Sequence, residues 1–253
     1  MKILFNCLVH QNNNIVEDII NNIKKFVENP IIVLHANTSF ENFDIDKFSK
    51  IENVYINPER FSHGKYDTKV KSLTSNYVFI KNKNIDFDYH MIFYSQMLFV
   101  KRGIESYLKD YDSCVNSFSE INNLFTQEEL KILKSGTNKC LVEGLIFNSE
   151  ICENVYSLIS NTSLLNKEGW CLEEWIFPSL IKIFSKKCRD VPMNHQRSKT
   201  HCSLDEVVGV VNESIDSLEN FYTGTQKTKD IFIMFRVDYD YYNPIREYMR
   251  KMK

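Results

Sequence analysis

Residues 2–34, KILFNCLVHQNNNIVEDIINNIKKFVENPIIVL, decide the fold of this chain. The unbroken apolar run over 2–9 predicts a buried strand, and the polar residues that follow predict a loop. Apolar residues then recur at helical spacing over 15–27, Pro30 ends this helix, and 31–34 predict a second strand. A strand, a helix and a second strand in this order favour a parallel α/β sheet with right-handed crossovers.

The same alternation continues to the end of the chain. Apolar runs predict further strands, and amphipathic or capped stretches predict further helices. The expected strands are 54–56, 88–94, 144–147 and 231–235, and the expected helices are 66–83, 103–108, 125–133, 149–160, 174–185, 204–218 and 243–253. No repeat, low-complexity segment or linker divides the chain, and we therefore expect a single domain over 1–253.

Polar residues follow two of the predicted strands. The segment 10–12 comes after the first strand, and the segment 35–38 ends the second. In parallel α/β sheets, ligands bind at the carboxyl ends of the strands. These two segments are therefore the first candidates for a binding site.

Composition places the chain among soluble globular proteins. Its 253 residues are 43% hydrophobic with a formal net charge of −2, which allows a substantial core and gives no general case for nucleic-acid binding. The seven cysteines are scattered without a CxxC pair, and we expect small buried hydrophobic residues in a reducing compartment. No signal peptide or membrane-spanning segment is evident, and we expect a cytoplasmic protein.

Residues 170–180, WCLEEWIFPSL, place two adjacent carboxylates between two tryptophans. Only one of two neighbouring residues can face a given surface of a helix, so either Glu173 or Glu174 can point into a cleft while the other stays in water. Burial against apolar side chains raises the pKa of a carboxyl group and makes it a usable base near neutral pH. The alternative is an ordinary helix start, where acids interact favourably with the macrodipole, and in isolation this alternative is the commoner one.

The triplet Asp238-Tyr239-Asp240 is of a kind that can hold a divalent cation beside a diphosphate. Its place near the C-terminus, far from a central strand, favours a solvated turn instead. The six histidines have no metal-ligand spacing, and the chain contains no GxGxxG, P-loop or HExxH motif. We expect no metal and no other cofactor.

Seven segments, taken in order, resemble the metal-independent branching glycosyltransferases: the mucin core-branching β-1,6-N-acetylglucosaminyltransferases, the peptide-O-xylosyltransferases and their small bacterial relatives. The segments are 8–10, 33–39, 62–66, 89–103, 143–147, 173–178 and 233–238. Each motif is short, but their order and spacing match over most of the chain. The chain departs from the family at Asn37, where an acid is usual, at His63, where a tryptophan is usual, and at Arg236, where a lysine is usual.

The resemblance implies an α/β, GT-A-like (Rossmann-like) fold with a mixed, mostly parallel central sheet flanked by helices. Residues 1–110 would form the nucleotide-sugar-binding half, and 111–253 the acceptor and catalytic half. The implied reaction is inverting transfer of a hexosyl, N-acetylhexosaminyl or pentosyl group from a nucleotide-sugar donor, such as a UDP-sugar, to a hydroxyl of a glycan or lipid-linked glycan acceptor. The implied setting is bacterial surface polysaccharide synthesis in the cytoplasm, with peripheral association at the inner face of the membrane left open.

The family's functional positions fall on particular residues of this chain. The second acid of the catalytic segment is the base, which assigns that role to Glu174 and leaves Glu173 as a solvated acid at the helix start. Arg236 would hold the donor diphosphate with a bidentate fork. The other candidates are His10 and Asn37 for donor binding, Ser95, Gln96 and Trp175 for acceptor binding, and Arg197, Lys227 and Lys229 as added positive charge.

Structural alternatives stand beside these roles. Arg246 and Arg250 are expected to lie on the surface of the terminal helix. The alternatives at the candidate residues are a loop role for His10, a turn role for Asn37, helix capping for Ser95 and Gln96, and core packing for Trp175.

Two other functions compete with transfer. The substitutions at Asn37 and His63 are compatible with a non-catalytic nucleotide- or sugar-binding relic of the same fold. A metal-dependent transferase that uses Asp238 and Asp240 is a further alternative, which the position of the triplet disfavours.

Overall fold

The computed structural model describes residues 1–10, 12–62, 69–116, 118–119, 124–134, 137–169, 171–194, 201–214 and 228–252. Parts of the helices expected at 66–83 and 204–218 lie outside these ranges. So do four residues that the sequence singles out, namely His63, Trp170, Arg197 and Lys227.

Strands and helices alternate along the chain, as the sequence predicts. The strands are β1 (Ile3–Val9), β2 (Pro30–Ala36), β3 (Val54–Ile56), β4 (Tyr89–Tyr94), β5 (Leu98–Phe99), β6 (Ser113–Cys114), β7 (Phe118–Ser119), β8 (Asn138–Lys139), β9 (Ile146–Asn148), β10 (Cys188–Arg189) and β11 (Ile233–Met234). The helices are α1 (Asn13–Phe26), α2 (Ile45–Phe48), α3 (Val70–Asn82), α4 (Ile104–Leu108), α5 (Gln127–Ile132), α6 (Ser149–Ser160), α7 (Glu173–Phe184), α8 (Leu204–Val211) and α9 (Pro244–Lys251), with 3-10 turns at Ser163–Asn166 and Thr228–Asp230.

Seven strands form the central sheet in the order β10-β6-β9-β4-β1-β2-β3. Strand β1 is parallel to β2 and β4, β2 is parallel to β3, and β6 is parallel to β10. Strand β9 is antiparallel to both of its neighbours, β4 and β6. The sheet is therefore mixed and mostly parallel, with helices packed on it, which confirms the expected α/β class.

Helices cover both faces of the central strand β1, which is buried along its whole length. Leu4 lies in an apolar cluster with residues of β2 and with Ile80 of α3. Phe5 points to the opposite face, because side chains alternate along a strand, and packs on Phe93 and Phe99 at ring-centroid distances of 5.7 and 5.8 Å. Helix α1 is hydrogen-bonded to β5 on that second face.

A buried polar network, which we call the core network (Asn6, Asn76, His90 and Tyr156), lies between the sheet and the helices α3 and α6. Asn6 Nδ2 donates to Leu73 O at 2.9 Å and lies 3.1 Å from His90 Nε2, while Asn76 Nδ2 donates to Asn6 Oδ1 at 2.8 Å. The Tyr156 hydroxyl lies 3.1 Å from the same His90 nitrogen. Burial lowers the pKa of His90 to about 3, so the ring is neutral and Nε2 can accept these hydrogen bonds.

Some elements differ from the sequence-based expectation. The strand expected at 231–235 pairs only over Ile233–Met234, antiparallel to β5, because Phe235 N donates to Asn194 Oδ1 at 2.6 Å instead of continuing a ladder. Strands β5, β6, β7, β8 and β10 were not expected, because two residues are too few to show a periodic pattern.

The cysteines and the helices agree with the composition. All seven cysteines are free and five of them are buried, as expected of small hydrophobic residues. Among the helices that the structure describes, none has both the length and the apolar character needed to cross a bilayer.

Candidate active site

The carboxyl ends of β1, β2 and β4 meet at one edge of the sheet, because these strands are parallel and in register. His10 follows β1, Asn37 follows β2 and Ser95 follows β4. Glu143 lies at the same edge of the sheet, because it comes just before β9 and β9 runs antiparallel to β4. The fold thus brings together residues from distant parts of the sequence at the edge where parallel sheets bind ligands.

Asn37 acts as a turn residue in this structure. It is buried, and its Oδ1 accepts hydrogen bonds from Ser39 N at 3.0 Å and from Ser39 Oγ at 3.1 Å. Arg60 Nη2 holds the same turn by donating to the carbonyl oxygens of Asn37 at 2.6 Å and Phe40 at 2.5 Å. The geometry favours the turn role, and a contact with the donor nucleoside stays a prediction.

His10 lies at the outer side of the site, against Tyr239. The two rings meet edge to face with their centroids 5.3 Å apart. Desolvation by the surrounding groups and, after it, the charge of Lys69 lower the pKa of His10. A neutral imidazole can donate one hydrogen bond and accept another, and His10 keeps an exposed surface from which to do so.

A buried arginine holds the turn that contains Ser95. Arg246 donates from Nη2 to Ser95 O, from Nε to Asp238 O and from Nη1 to Asp18 Oδ2, each at 2.7 Å. Its side chain is fully buried, so the expectation that Arg246 lies on the surface of the terminal helix is wrong. The reason is that Asp18 of α1 supplies a carboxylate under α9, which also pairs with the half-exposed Arg250 at 3.0 Å.

The residues after β4 do not cap a helix. Gly103, with φ of +106°, precedes α4, so the alternative role of Ser95 and Gln96 as helix caps is wrong. The Gln96 carbonyl instead accepts a hydrogen bond from Val237 N at 3.0 Å. Both residues are therefore held at the edge of the sheet, and their contact with an acceptor stays a prediction.

A cluster of charged residues, which we call the acid cluster (Lys69, Glu143, Glu173 and Glu174), lies where α7 begins. Lys69 Nζ pairs with Glu173 Oε1 at 3.0 Å, and Lys69 N lies 3.5 Å from Glu173 Oε2. The same ammonium lies 5.3 Å from the centre of the Tyr94 ring. Glu143 is buried, and Glu174 is half-buried in the first turn of α7.

Glu173 is buried, so the expectation that it is a solvated acid is wrong. Only 1% of its side chain is exposed, and it faces Lys69 rather than water. A buried carboxylate requires a paired cation, and this one comes from a residue 104 positions earlier in the chain. The inward turn of Glu173 leaves Glu174 at the side of the helix that a ligand can reach.

Glu174 has the properties that a general base requires. Burial first, and then the negative charges of Glu143 and Glu173, raise its pKa to about 7, while Lys69 and Lys139 act in the opposite direction. A carboxyl group with this pKa is partly ionised at pH 7 and holds a captured proton well. The raised pKa that the sequence argument called for is present at the second acid of the pair.

The first turn of α7 is fixed by a proline and by a neighbouring strand. Pro178 has no N–H and cannot donate to the carbonyl of Glu174, as an ordinary residue at its position would. Cys140 N donates to that carbonyl instead, at 3.0 Å. Cys171, just before the helix, has φ of +54°, a conformation that costs a residue with a Cβ about 1–2 kcal/mol. The position of Glu174 therefore depends on contacts outside its own helix.

Two buried polar atoms beside the acid cluster make no hydrogen bond to any described residue. They are Glu143 Oε2 and the Tyr94 hydroxyl oxygen. Burial, as the largest cause, raises the pKa of Glu143. Buried polar groups without a partner are uncommon in folded proteins, and each requires an explanation; His90 Nδ1 of the core network is another.

Trp175 belongs to the hydrophobic core. Only 6% of it is exposed, and Lys139 Nζ lies 4.9 Å from the centre of the ring system. This burial favours the core-packing alternative. A contact with an acceptor sugar stays a prediction.

Arg236 lies near the acid cluster, at the end of the segment that follows β11. Its backbone has φ of +63°, its carbonyl accepts from Cys202 N at 3.2 Å, and the next residue, Val237, is bonded to the turn after β4. Burial raises the pKa of Glu143, and the positive charge of Arg236 acts in the opposite direction. Arg236 is half-buried, and a contact with a diphosphate stays a prediction.

The Asp238-Tyr239-Asp240 triplet forms a turn. Asp240 N donates to Asp238 Oδ1 at 3.2 Å, and Tyr242 N donates to Asp240 Oδ1 at 3.0 Å. In the part of the chain that the structure describes, no three histidine, cysteine, aspartate or glutamate side chains are grouped to hold a metal ion. The geometry favours the turn interpretation.

Sequence reasoning missed three residues of this site. Lys69 lies in a polar stretch and carries no local sign of its partner, and Tyr239 was considered only with the acids beside it. Glu143 did carry a signal, since a single acid before an apolar run needs a partner or a function. Lys229, expected to add charge, is exposed in the 3-10 turn Thr228–Asp230.

No protein-family model matches this sequence, and no curated protein is significantly similar to it. Among solved structures, the chain is similar to a nucleoside-diphosphate-sugar pyrophosphorylase from Vibrio cholerae RC9, with 14% identity, 75% of this chain and 91% of that chain covered, and a TM-score of 0.42. It is also similar to the galactosyltransferase LgtC in complex with donor and acceptor sugar analogs, with 8% identity, 99% of this chain and 94% of that chain covered, and a TM-score of 0.43. For the apo-form glycosyltransferase GlyE of Streptococcus pneumoniae TIGR4, identity is 9%, the match covers 100% of this chain and 60% of that chain, and the TM-score is 0.41. At such identities and scores, a function has to rest on the residues of the site.

Proposed function

We propose that this chain is a metal-independent, inverting glycosyltransferase with a GT-A-like fold, a small member of the branching family that its motifs resemble. It moves a sugar from a nucleotide-sugar donor to a hydroxyl of a glycan acceptor. The observation that carries the proposal is Glu174: a half-buried carboxyl group with a pKa of about 7 at the ligand-binding edge of a mostly parallel sheet.

The chemistry of transfer needs one base. As the acceptor oxygen attacks the anomeric carbon, its proton passes to a Glu174 carboxylate oxygen, and the bond between the anomeric carbon and the diphosphate oxygen breaks. Attack from the side opposite the leaving group inverts the anomeric centre. Glu174 is suited to this step because its pKa lies near the pH at which the proton must be taken up.

The leaving diphosphate requires positive charge. Arg236 is half-buried near Glu143, and its guanidinium can hold two phosphate oxygens at once. His10 would bind the nucleoside, and Ser95 and Gln96 would contact the acceptor. In this assignment, residues 1–110 supply His10 for the donor and Ser95 and Gln96 for the acceptor, and residues 111–253 supply the base and the diphosphate cation.

The donor class and the setting follow from the family resemblance. We propose a UDP-sugar as the donor, a glycan or lipid-linked glycan as the acceptor, and a role in bacterial surface polysaccharide synthesis in the cytoplasm. The second candidate, a non-catalytic nucleotide- or sugar-binding relic, is favoured by Asn37, whose Oδ1 already accepts hydrogen bonds within its own turn.

A ligand screen followed by a turnover assay tests the proposal. Thermal melting is measured with a panel of nucleotide-sugars, and a donor at 100 times its Kd should stabilise the protein by about 2.7 kcal/mol. The donor found in this way is then incubated without acceptor. Slow release of nucleoside diphosphate by the wild type but not by Glu174→Gln supports the transferase. Binding without turnover in either protein supports the relic, and no stabilisation by any nucleotide-sugar rejects both.

A further inference from the structure

We propose that Lys69 is a positioning residue for the catalytic base: by pairing with Glu173 it orients the first turn of α7, and it supplies the positive charge that lets Glu174 accept a proton near neutral pH. This inference rests on the proposed function, because that function makes Glu174 the base. Lys69 itself touches no reacting atom in this scheme and acts only through the two glutamates.

The geometry of Lys69 is specific. It immediately precedes α3, and its ammonium and backbone nitrogen lie on the two oxygens of one carboxylate, at 3.0 Å from Glu173 Oε1 and 3.5 Å from Glu173 Oε2. Tyr94 closes another side, with its ring centre 5.3 Å from the ammonium. The end of β4, the start of α3 and the start of α7 therefore meet at one cation, and the residue after Glu173 is the base.

The charges that face Glu174 come from several elements. Three of its neighbours, Tyr94, Cys140 and Cys171, have a pKa raised mainly by burial and are uncharged near pH 7. The ionic neighbours are Glu173 on the same helix, Glu143 before β9, Lys139 in β8 and Lys69 before α3. Negative neighbours act more strongly on Glu174 than the positive ones, so the loss of one lysine shifts the balance further toward protonation.

Lys69 keeps its charge over the range in which Glu174 titrates. Burial alone would lower the pKa of Lys69, but Glu143 and Glu173 outweigh that effect and raise it. Glu174 can accept a proton when the pH is above its pKa. When the pH falls below this pKa, the carboxyl group is already protonated and cannot act as a base. Removal of the Lys69 charge raises this pKa, so the acid limb of activity moves to higher pH.

The test is a direct titration of the Glu174 carboxyl group. Protein labelled with ¹³C at glutamate Cδ is titrated by NMR, and the Glu174 signal is assigned by its absence in Glu174→Gln. In Lys69→Met the midpoint should rise by about one pH unit, the lower end of the range for the loss of a neighbouring opposite charge. At pH 7 this shift lowers the ionised fraction, and with it any turnover, roughly fivefold. Lys69→Arg, which keeps the charge, should retain the wild-type midpoint.

The chain offers a matched control. Lys167 is also paired with a buried glutamate, Glu129, at 2.8 Å, and also lies over an aromatic ring, that of Phe125, at 5.3 Å. It is not among the charges that act on Glu174. Lys167→Met should therefore leave the Glu174 midpoint unchanged. A midpoint that is the same in Lys69→Met as in the wild type overturns the proposal.

A second pair of variants covers a failure of Lys69→Met to fold. Glu173→Gln is compared with the double variant Lys69→Met/Glu173→Gln, which removes both charges of the pair, so that neither member of the pair is left buried without the other. The Glu174 midpoint should be higher in the double variant than in Glu173→Gln, and equal midpoints overturn the proposal. The titration needs no donor, so a protein that shows the shift but never turns over a sugar refutes the proposed function and leaves the effect of Lys69 on Glu174 standing.

Discussion

The core network and the acid cluster are both built of buried polar side chains around the same strands, yet they differ in charge. The core network consists of amide, hydroxyl and neutral imidazole groups that share short hydrogen bonds, and it leaves His90 Nδ1 without a partner among the described residues. The acid cluster places three carboxyl groups around one ammonium and leaves Glu143 Oε2 without a partner among the described residues. Neutral hydrogen-bonded groups can be buried at little net cost, whereas an excess of one charge lowers stability.

This difference separates a structural role from a functional one. The core network joins β1, β4, α3 and α6, and its loss should be felt mainly in folding. The acid cluster lies at the edge of the sheet, where burial first and then the charges of Glu143 and Glu173 raise the pKa of Glu174 to about 7. Its excess of negative charge does not stabilise the fold. Sites that lower the stability of the fold and shift the pKa of their side chains are those expected to carry function.

The largest expected effect is the loss of transfer in Glu174→Gln. The amide keeps the shape of the side chain but cannot take the acceptor proton, so transfer should fall roughly 10²–10⁴-fold. Donor binding, measured by calorimetry, should stay within about twofold, because the base does not hold the donor. Glu150→Gln is the matched control: Glu150 lies in the first turn of α6 and is exposed. Near-normal turnover in Glu174→Gln contradicts the assignment. Glu173→Gln is not a neutral comparison, because Glu173 is paired with Lys69.

The core network should respond in stability instead. Asn6→Ala removes the hub of the network, leaves Asn76 Nδ2 without its acceptor and opens a small cavity. Lost hydrogen bonds and an unsatisfied buried group predict a decrease of about 2–4 kcal/mol in the free energy of unfolding. Urea denaturation at pH 7 measures it, and donor affinity of the folded fraction should be unchanged. A change below about 0.5 kcal/mol, the usual size for an exposed substitution, contradicts a structural role for the network.

The pH dependence of stability should have opposite signs for the two regions. The pKa of Glu174 is raised from 4.5 to about 7 by folding, so its contribution to stability is complete below 4.5 and is lost as the pH rises to 7. The pKa of His90 is lowered from 6.5 to about 3, so its contribution is complete above 6.5 and is lost as the pH falls. Glu174→Gln should therefore be more stable than the wild type at pH 8, by about 1–3 kcal/mol, and no more stable at pH 4.5. Equal stability at pH 8 contradicts the raised pKa.

Arg236 should have a smaller, ligand-specific effect. Arg236→Ala removes a charged contact with the diphosphate, which predicts roughly tenfold weaker binding of the nucleoside diphosphate and little change for the free nucleoside. Titration calorimetry with both ligands measures the difference, and Arg236→Lys should recover part of the affinity. An equal loss for nucleoside and nucleoside diphosphate indicates that Arg236 acts on the structure rather than on the diphosphate.

The sequence predicts what depends on local pattern. The periodicity of 2–34 places β1, α1 and β2 within two residues of their bounds, and α6 was expected at 149–160, where it lies. The pair of acids in 170–180 also pointed to a perturbed carboxyl group. The pattern could not say which acid faces inward, because that depends on Lys69, 104 residues away in sequence.

Burial of charged residues is the part that the sequence could not predict. Arg246 looks like an exposed residue of a basic helix, and its burial depends on Asp18 of α1, more than 200 residues earlier. Asn37 and Trp175 each had two roles open. Burial favours the turn and the core, and their contacts with a ligand stay predictions. For Arg246 the outcome depends on a tertiary contact that no local window of sequence contains.

The smallest expected effect is that of metal removal, for which we predict no change in transferase activity. Asp238 and Asp240, the acids placed most like a metal-binding triplet, each use an Oδ1 atom to accept a backbone N–H of their own turn. Arg236 provides a fixed cation near the acid cluster, and such a group can stabilise a leaving diphosphate in the way that a metal ion does in other enzymes. Activity is measured in excess EDTA and again after addition of manganese or magnesium, and the rates should agree within about twofold, a difference of less than 0.5 kcal/mol in the barrier. Abolition by EDTA with rescue by manganese contradicts the prediction. In that case Asp238 and Asp240 become the first residues to replace. The acid cluster would keep its role in proton transfer, but a metal rather than an arginine would neutralise the charge on the leaving group.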